Sequence, residues 1–454
     1  MKKSSLLMAI IMMVSVVVVG CGPSSGKDLP ANTASVDVGN AEENNSIADE
    51  TVNEKDPAEY KGTIAMWTQD GTTDKEMAKE FNKVYPNVKV NITPIPENYP
   101  VKLSSALASG SGVPDVVTLE FNFISKFVET DQFQILGEAP YNCDRFKDDM
   151  IEYMYKLGQN SKGQQIGMPV DPAPAGMFYR RDIAKQYLGT DSPEEVAKLI
   201  NTWDDVIEVG KQIKEKSDGK VSVLTNAAVM FSMIKLQSGK EWIDENKKVT
   251  IETDFLTAAR TTQKAIQLDV FAKIDDWTAP WYATFSKGDI MFYPEGLWLE
   301  GYIIKDNDKE GSGRWAVTKF PGGCINRGGV NLAIPKKAQN KELAWEFIKW
   351  YTTTTEAALT TQRMTGGLSS YKPVYDNPAY HEPDQFLGGQ KVIEFFMNEM
   401  NNNMIVPPVT PYDPILEDAV NKYIKPFSEG SITPEVMLEQ ITDEVIQKIP
   451  GSSR

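Results

Sequence analysis

The chain has 454 residues, 41% of them hydrophobic, and a formal net charge of −16, a size that corresponds to two or three ordinary globular domains. The excess of Asp and Glu over Lys and Arg argues against nucleic-acid binding, which requires a positive surface field. Since His381 is the only histidine, catalysis by imidazole and histidine-rich metal sites are nearly excluded. We expect no metal ion and no cofactor.

Residues 1–20 have the pattern of a secretory signal peptide. Lys2 and Lys3 precede the apolar run from Leu6 to Val19, which is too short for a permanent membrane span. Val18-Val19-Gly20-Cys21 then resembles a bacterial lipobox, which predicts that Cys21 is lipidated after cleavage. The alternative is an ordinary signal peptide with a chance cysteine nearby. More than one acyl chain, such as palmitate, would make the anchor stable.

Residues 21–59 are predicted to form a flexible tether. Gly22 to Ala58 contains no aromatic residue and is rich in Ser, Asn, Gly, Ala and acidic residues, so it cannot bury enough apolar surface to fold. The remaining cysteines, Cys143 and Cys324, lie far apart in sequence. A disulfide between them and two buried free thiols are both consistent with the sequence.

Strand and helix patterns alternate from Lys61 onward. The first five elements are a strand over Thr63–Trp67, a helix over Asp74–Tyr85, a strand over Val88–Ile92, a helix over Val101–Ala108 and a strand over Val113–Leu119. Such alternation predicts an α/β fold in which helices cover both faces of a mainly parallel sheet.

The second half of the chain continues this pattern. Its predicted elements are a short strand at Met177–Tyr179, a helix from a capping box at Thr202–Asp205 to Ile213, strands at Asp289–Tyr293 and Asn331–Ile334, and a helix at Lys341–Tyr351 capped by Asn340. From about Lys391 the tail is predicted to be mostly helical.

Several short motifs, in order and at consistent spacing from Lys61 to Tyr375, resemble one known family. They are Trp67-Thr68-Gln69 before the helix that contains Phe81 and Tyr85-Pro86, the segment Ala106 to Val117, Phe178 to Asp182, Thr202 to Asp205, Phe285 to Gly288 with Pro294 to Trp298, and Gly328 to Ile334. With them the chain resembles the family 1 extracellular solute-binding proteins of ABC importers, the sugar-binding type related to maltose-binding protein.

The resemblance implies a two-lobed, periplasmic-binding-protein-like fold of type II with the ligand between the lobes. Carried over, lobe 1 consists of residues 60–170 plus 327–367, and lobe 2 of residues 171–326 plus 368–454. The hinges would lie near Pro169–Ala175, Asn326–Val330 and Gly366–Ser370, where prolines prevent helix formation and glycine pairs allow large dihedral changes.

Candidate ligand contacts follow the strands, because ligands of open α/β sheets bind beyond the carboxyl ends of the strands. Trp67, Gln69 and Asp70 end the first strand, although Trp67 also suits the core and Asp70 a helix cap. Glu120 and Asn122 follow a later strand, with a solvated loop as the alternative.

Indole rings can cover the apolar faces of a sugar, while carboxylates and amides bind its hydroxyl groups. On this basis or by the resemblance, further candidates are Asp171 in the first hinge, Tyr179, Trp281, Glu295, Trp298, Gly329, Arg363 and Tyr412. Each has a structural alternative: a turn for Asp171, core packing for Tyr179 and Trp281, and a plain hinge for Gly329.

The resulting expectation is a receptor, not an enzyme, that captures a carbohydrate and delivers it to the membrane-spanning subunits of an ABC permease. It would act as a monomer, lipid-anchored on the extracellular face of a bacterial cell membrane. The aromatic candidates favour a neutral oligosaccharide. The alternatives are a secreted carbohydrate-active hydrolase with paired carboxylates and a structural surface lipoprotein without a ligand.

Overall fold

A computed structural model of the protein describes residues 55–454. In the first part of this range, strands alternate with helices. The predicted signal peptide, Cys21 and the tether up to residue 54 lie outside the described residues. Among the residues described, no helix is both long and apolar enough to cross a membrane.

Eight strands occur in this part of the chain. They are β1 (Gly62–Thr68), β2 (Val88–Pro94), β3 (Val116–Glu120), β4 (Gly167–Arg180), β5 (Phe292–Gly296), β6 (Trp315–Thr318), β7 (Cys324–Ala333) and β8 (Met404–Ile405). They form a curled sheet in the order β2-β1-β3-β7-β4-β5, with β6 paired to β4 and β8 to β7.

The α-helices lie between these strands and after the last of them. In chain order they are α1 (Gly71–Val84), α2 (Tyr99–Ser109), α3 (Ser125–Val128), α4 (Glu152–Leu157), α5 (Arg181–Leu188), α6 (Pro193–Leu199), α7 (Trp203–Lys216), α8 (Ala227–Leu236), α9 (Glu252–Gln267), α10 (Ala279–Lys287), α11 (Lys305–Asn307), α12 (Lys341–Thr353), α13 (Thr355–Thr365), α14 (Val392–Asn403), α15 (Asp413–Ser428) and α16 (Pro434–Lys448). A π-helical turn, Glu300–Ile304, precedes α11.

Two of the predicted helix starts have different outcomes. The capping box at Thr202 is confirmed, since its hydroxyl accepts a hydrogen bond from the amide of Asp205 and the Asp205 carboxylate accepts one from the amide of Thr202. Asn340 occupies the predicted N-cap position of α12, but its side chain makes no capping hydrogen bond. There the backbone amide of Asn340 donates to the Asp115 carboxylate at 2.9 Å, which ties the start of α12 to β3.

The strands form two groups that differ in direction. In the first group, β1 pairs parallel with β2 and with β3, as the alternation of strands and helices predicts. In the second group, β5 and β6 flank the last part of β4 and both pair antiparallel with it, instead of in the mainly parallel arrangement that was predicted.

Strands β4 and β7 belong to both groups because each runs from one hydrophobic core to the other. Met168 of β4 is buried in the core with Phe81 of α1, whereas Met177 of β4 is buried in the core with Phe231 of α8. The antiparallel pairing of β4 with β7 is irregular between Pro169 and Pro174, where the register shifts twice. Proline donates no backbone hydrogen bond, which accounts for the weakened ladder at this crossing.

A third segment passes beside this crossing. After α13, the amide of Ser370 donates to the carbonyl oxygen of Val170 at 2.8 Å, and the amide of Ile151 donates to the carbonyl oxygen of Ser370 at 2.9 Å. The three segments predicted as hinges therefore run close together.

Arginine side chains are usually exposed, but Arg180 lies inside the fold. Arg180 is buried, binds Asp182 through both Nε and Nη2, and donates from Nη1 to the carbonyl oxygen of Phe285 at 3.1 Å. Its guanidinium group also lies over the ring of Trp315. Arg180 thus joins the start of α5 to the end of α10.

The described part of the chain begins near the amino end of β1. The ammonium group of Lys55 binds the carboxylate of Glu342 in α12 and lies 5.2 Å from the ring centroid of Tyr60. These contacts hold the first described residues near the end of the sheet at which β1 begins.

Candidate ligand-binding cleft

A cavity of about 660 Å³ lies beyond the carboxyl ends of β1 and β3, against the crossing of β4 and β7. Parallel strands with neighbouring carboxyl ends leave such a crevice, and its volume is typical of a small-molecule site. The polar and aromatic residues that line it include Gln69, Asp70, Thr73, Asp74, Glu120, Asn122, Asp171, Trp277, Trp298, Tyr302, Arg327 and Tyr351.

The structure brings many of the predicted site residues together in this cavity. Those that line it are Gln69, Asp70, Glu120, Asn122, Asp171, Trp298 and Gly329. They come from five separate parts of the chain, which the strand order β1-β3-β7-β4-β5 places side by side. Whether they contact a ligand remains a prediction.

The floor of the cavity is acidic. Burial raises the pKa of Glu120 to about 7, and the neighbouring carboxylates of Asp171 and Asp70 repel its charge in the same direction. Burial also raises the pKa of Asp171 to about 7, although its carboxylate accepts a hydrogen bond from the amide of Val330 at 3.0 Å. For Asp74, burial raises the pKa to about 6.

Hydrogen bonds position these acidic side chains. The Tyr351 hydroxyl donates to the carboxylate of Asp74 at 3.0 Å, and the Asp70 carboxylate accepts from the amide of Thr72 at the start of α1. With its amide oriented to donate, Gln69 places its nitrogen 2.6 Å and 3.0 Å from the two carboxylate oxygens of Glu120. Asp70 thus has the helix-capping contact proposed as its alternative role, while its side chain also borders the cavity.

Two indole rings form an aromatic wall of the cavity. The rings of Trp277 and Trp298 are stacked, with centroids 5.8 Å apart and planes inclined by 25°. The Nε1–H group of Trp298 donates to the carbonyl oxygen of Arg327 at 2.8 Å, which fixes the plane of its ring. Trp277 is 56% exposed, and its backbone has a positive φ of 63°. Exposed indole surface of this kind is typical of a ligand-binding surface.

Arg327 is the only cationic side chain among the described residues that line the cavity. Its Nε lies 3.3 Å from the carboxylate of Glu295, a buried residue of β5. Burial raises the pKa of Glu295, and the charge of Arg327 opposes that shift. Glu295 was predicted as a contact; the structure places it behind Arg327, outside the residues that line the cavity.

Across the cavity, the hydroxyl groups of Thr73 and Tyr302 lie 3.3 Å apart. Thr73 belongs to α1 in the first strand group, whereas Tyr302 belongs to the π-helical turn that follows β5. This hydrogen bond joins the two walls directly.

The other predicted site residues lie outside the cavity. Trp67 packs beside the core formed by α2 and β3, and Tyr179 is buried with its hydroxyl donating to the carbonyl oxygen of Asp191 at 2.7 Å. Trp281 belongs to α10, not to a loop, and is buried behind Trp277, with ring centroids 5.1 Å apart.

The last two candidates are also remote from the cavity lining. Arg363 is exposed, and its guanidinium group lies 3.7 Å from the carboxylates of Glu76 and Glu80 in α1. Tyr412 packs against the core of the second strand group beside α15. In both cases the structural alternative describes the observed contacts.

The lining residues that escaped the sequence analysis as site candidates include Asp74, Trp277, Tyr302 and Arg327. Asp74 occupies a helical position four residues after the predicted contact Asp70, and Tyr302 lies on a π-helical turn that no periodicity indicates. Trp277 was not a candidate, although Trp281, four residues further along the chain, was. Among the described residues, no group of three or more His, Cys, Asp or Glu is arranged to hold a metal ion.

The model of the family described as "Bacterial extracellular solute-binding protein" matches residues 67–358, more than half of the 454-residue chain. The chain belongs to this family. Membership accounts for the cavity at the strand ends, and the protein is a solute-binding protein rather than an enzyme.

Two relatives extend the match over most of the sequence. The chain is 26% identical over 420 residues to the lactose-binding protein of Rhizobium radiobacter, covering 86% of this chain and 94% of the relative. It is 24% identical over 429 residues to the arabinooligosaccharide-binding protein of Halalkalibacterium halodurans, covering 88% of this chain and 92% of the relative.

Solved structures share the fold. A family 1 extracellular solute-binding protein superposes with a TM-score of 0.75 at 22% identity, covering 85% of this chain and 99% of that one. The binding protein of an ABC transporter from B. animalis subsp. lactis, in complex with beta-1,6-galactobiose, gives a TM-score of 0.71 at 19% identity, covering 86% and 98%. The predicted fold class, a two-lobed α/β solute-binding protein, is confirmed.

Proposed function

We propose that this protein is the lipid-anchored receptor of an ABC importer and that it captures a neutral oligosaccharide in the cleft. The observation that carries the proposal is the stacked pair Trp277–Trp298 facing an acidic floor. Stacked indoles offer a flat apolar surface for the C–H face of a sugar ring, and carboxylates on the opposite side accept hydrogen bonds from its hydroxyl groups. The names of the two relatives, which bind lactose and arabinooligosaccharides, support a carbohydrate ligand.

The capture mechanism follows from the two lobes, for which we propose residues 60–170 plus 327–367 and 171–326 plus 368–454. Ligand would contact Glu120 of the first lobe together with Asp171, Trp277 and Trp298 of the second only when the lobes are closed. It therefore stabilises the closed state by its differential affinity. The irregular β4–β7 crossing, with its prolines and Gly329, would supply the hinge.

Delivery and location complete the proposal. Lipid on Cys21 would hold the monomeric protein at the extracellular face of the bacterial cell membrane, and residues 21–59 would let the closed form reach the permease. Support comes from the lipobox pattern in the sequence and from membership of an extracellular family.

The proposal is tested by a thermal-shift screen with lactose, beta-1,6-galactobiose, maltotriose and arabinotriose, followed by calorimetric titration of each sugar that raises the melting temperature. We expect at least one oligosaccharide to bind, to raise the melting temperature by mass action and to be recovered unchanged. Failure of all four sugars to bind would overturn the oligosaccharide assignment. Release of new reducing ends would instead support the hydrolase alternative.

A further inference from the structure

Glu120 and Asp171 occupy equivalent positions on the two strands that flank β7. Glu120 of β3 and Asp171 of β4 both pair in register with Val330 of β7. Adjacent strands lie about 4.8 Å apart, so the two backbones stand about 10 Å from each other across β7. Both side chains line the same cavity. The fold therefore directs two carboxyl groups into one site from opposite sides of a single residue.

The charge around this pair is not balanced. Asp70 and Asp74 line the same cavity and add two further carboxyl groups from the β1–α1 side. Arg327 is the one cation among the described lining residues, and Glu295 already binds its guanidinium group at 3.3 Å. No basic side chain is therefore left within the lining to compensate the charges of Glu120 and Asp171.

Neutral donors near the pair are also largely engaged. The Tyr351 hydroxyl donates to Asp74, and the Tyr99 hydroxyl donates to the carbonyl oxygens of Trp67 and Thr118. The Tyr302 hydroxyl shares a hydrogen bond with Thr73. Further polar side chains near the pair include Asn122 in the lining, Gln69, whose amide reaches Glu120, and Tyr153 behind Asp171, whose hydroxyl donates to Asn326.

Resting on the proposed function, we propose that Glu120, coupled to Asp171, takes up a proton when a neutral sugar fills the cleft and then donates a hydrogen bond to a sugar oxygen. A sugar replaces the water that solvates the two carboxylates and brings no positive charge, so it disfavours the doubly ionised pair. A protonated carboxyl group can both donate and accept, which suits a ligand whose ring and glycosidic oxygens only accept.

The pKa values near neutrality support this arrangement, since both carboxyl groups already titrate at about 7 without ligand. Further burial by a neutral sugar raises the pKa of the pair, and binding is then accompanied by proton uptake. By linkage, affinity must rise as the pH falls from 8 to 6. An upward shift of about one pKa unit on binding corresponds to about fivefold tighter binding at pH 6 than at pH 8.

The opposite mechanism predicts the opposite sign. If Glu120 stays ionised and accepts hydrogen bonds from sugar hydroxyls, the bound carboxylate is stabilised and its pKa falls. Binding would then release protons, and affinity would rise with pH.

The test is calorimetric titration of the full chain with lactose, beta-1,6-galactobiose, maltotriose and arabinotriose at pH 7, in buffers of different ionisation enthalpy. We expect uptake of a fraction of a proton per sugar bound. Proton release, or no exchange, with a sugar that binds would overturn this inference and leave the proposed function intact. If no sugar binds, the proposed function fails and the inference fails with it.

Substitution of Glu120 tests whether this residue takes up the proton when sugar binds. Glu120→Gln mimics the protonated carboxyl group, so at pH 8 we expect it to bind the sugar more tightly than the wild-type protein does and to lose the pH dependence between pH 6 and 8. Glu439→Gln, on the exposed face of α16, is the matched control and should keep the wild-type pH dependence. Loss of binding in a folded Glu120→Gln variant would show that the ionised form is needed and would overturn the inference. If the Glu120→Gln variant does not fold, the number of protons that the wild-type protein takes up per sugar bound decides whether the inference holds.

Discussion

Trp298 donates the hydrogen of its indole Nε1 to the carbonyl oxygen of Arg327 at 2.8 Å, and this bond ties the aromatic wall of the cleft to strand β7. Trp298 is also half-buried against the core around α10. The neighbouring indole of Trp277 stacks on it but is 56% exposed. The two rings of the wall therefore differ in how far the fold depends on them.

Trp277→Ala should weaken sugar binding about tenfold, because one aromatic contact contributes about 1–1.5 kcal/mol beyond area burial. Since the ring is largely exposed, the melting temperature of the unliganded protein should change little. Calorimetric titration and thermal unfolding measure the two effects. Trp277→Phe, the matched control, keeps an aromatic surface and should retain most of the affinity; equal affinity in Trp277→Ala would remove this residue from the site.

Trp298→Ala should lower both affinity and stability. The substitution removes packing from the core around α10 and leaves the carbonyl oxygen of Arg327 without its donor. For a half-buried indole we expect a loss of about 2–3 kcal/mol in the free energy of unfolding. Urea unfolding of the unliganded protein checks this value. A stability equal to that of Trp277→Ala would contradict the structural role of the indole hydrogen bond.

Gly329→Ala should disrupt the crossing of the two shared strands. Gly329 has a φ of +99°, and a Cβ atom there would lie 2.6 Å from the carbonyl oxygen of Asp171. Gly112 also has a positive φ, of +66°, but a Cβ atom at that position would meet nothing within 4 Å. Gly112→Ala therefore measures the backbone strain alone, about 1 kcal/mol.

We expect Gly329→Ala to lose at least twice as much unfolding free energy as Gly112→Ala, and to bind sugar more weakly because Asp171 is displaced. Denaturant unfolding and calorimetric titration compare the two variants. Equal losses of unfolding free energy in the two variants would mean that β4 and β7 move apart at Gly329 without a loss of stability.

The unliganded protein should become less stable as the pH rises from 6 to 8. Glu120 and Asp171 have pKa values of about 7 in the folded state, well above those of unfolded carboxyl groups, so the folded state binds more protons in this range. Stability then falls with pH until both groups are ionised. Glu300 in the π-helical turn, with a pKa of about 7, acts in the same direction. Urea unfolding at several pH values measures the slope, and Glu120→Gln should flatten it.

Cys143 and Cys324 should remain unreactive toward thiol reagents in the folded protein. Both are buried free thiols, and burial raises the pKa of each to about 12. The Cys324 thiol also donates to the carbonyl oxygen of Ala175 at 3.3 Å. Alkylation followed by peptide mass mapping should label both sites only after denaturation. A reductant should leave the melting temperature unchanged, whereas a disulfide between these residues would make it fall.

The sequence was informative where local patterns determine local structure. Alternating strands and helices predicted the sheet around β1, and the rule that ligands bind beyond strand ends located Gln69 and Glu120 correctly at the cavity. The sequence pattern was less informative about which of the neighbouring residues Trp277 and Trp281 faces the cleft. Trp277 lines the cleft with a positive φ, a backbone conformation that tryptophan rarely adopts and that no sequence pattern indicates. Trp281, in contrast, packs on the inner face of α10.

Long-range pairing explains the remaining differences. Arg180 resembles a surface residue in sequence, yet β4 carries it beneath α10, where Asp182 and a carbonyl oxygen satisfy its charge. Arg327 reaches the cavity because β7 crosses between the two cores. Such placements depend on tertiary partners that are distant in sequence, and residue periodicity does not contain them.

The contact between Lys55 and Glu342 has a practical consequence for immobilising the protein on a sensor surface. Seven residues of β1, about 23 Å at the usual rise per residue, separate the start of that strand from its end at the cavity. Coupling at Lys55 would therefore place the attachment point at the end of β1 that is remote from the cavity, so a linkage there should leave sugar access unobstructed.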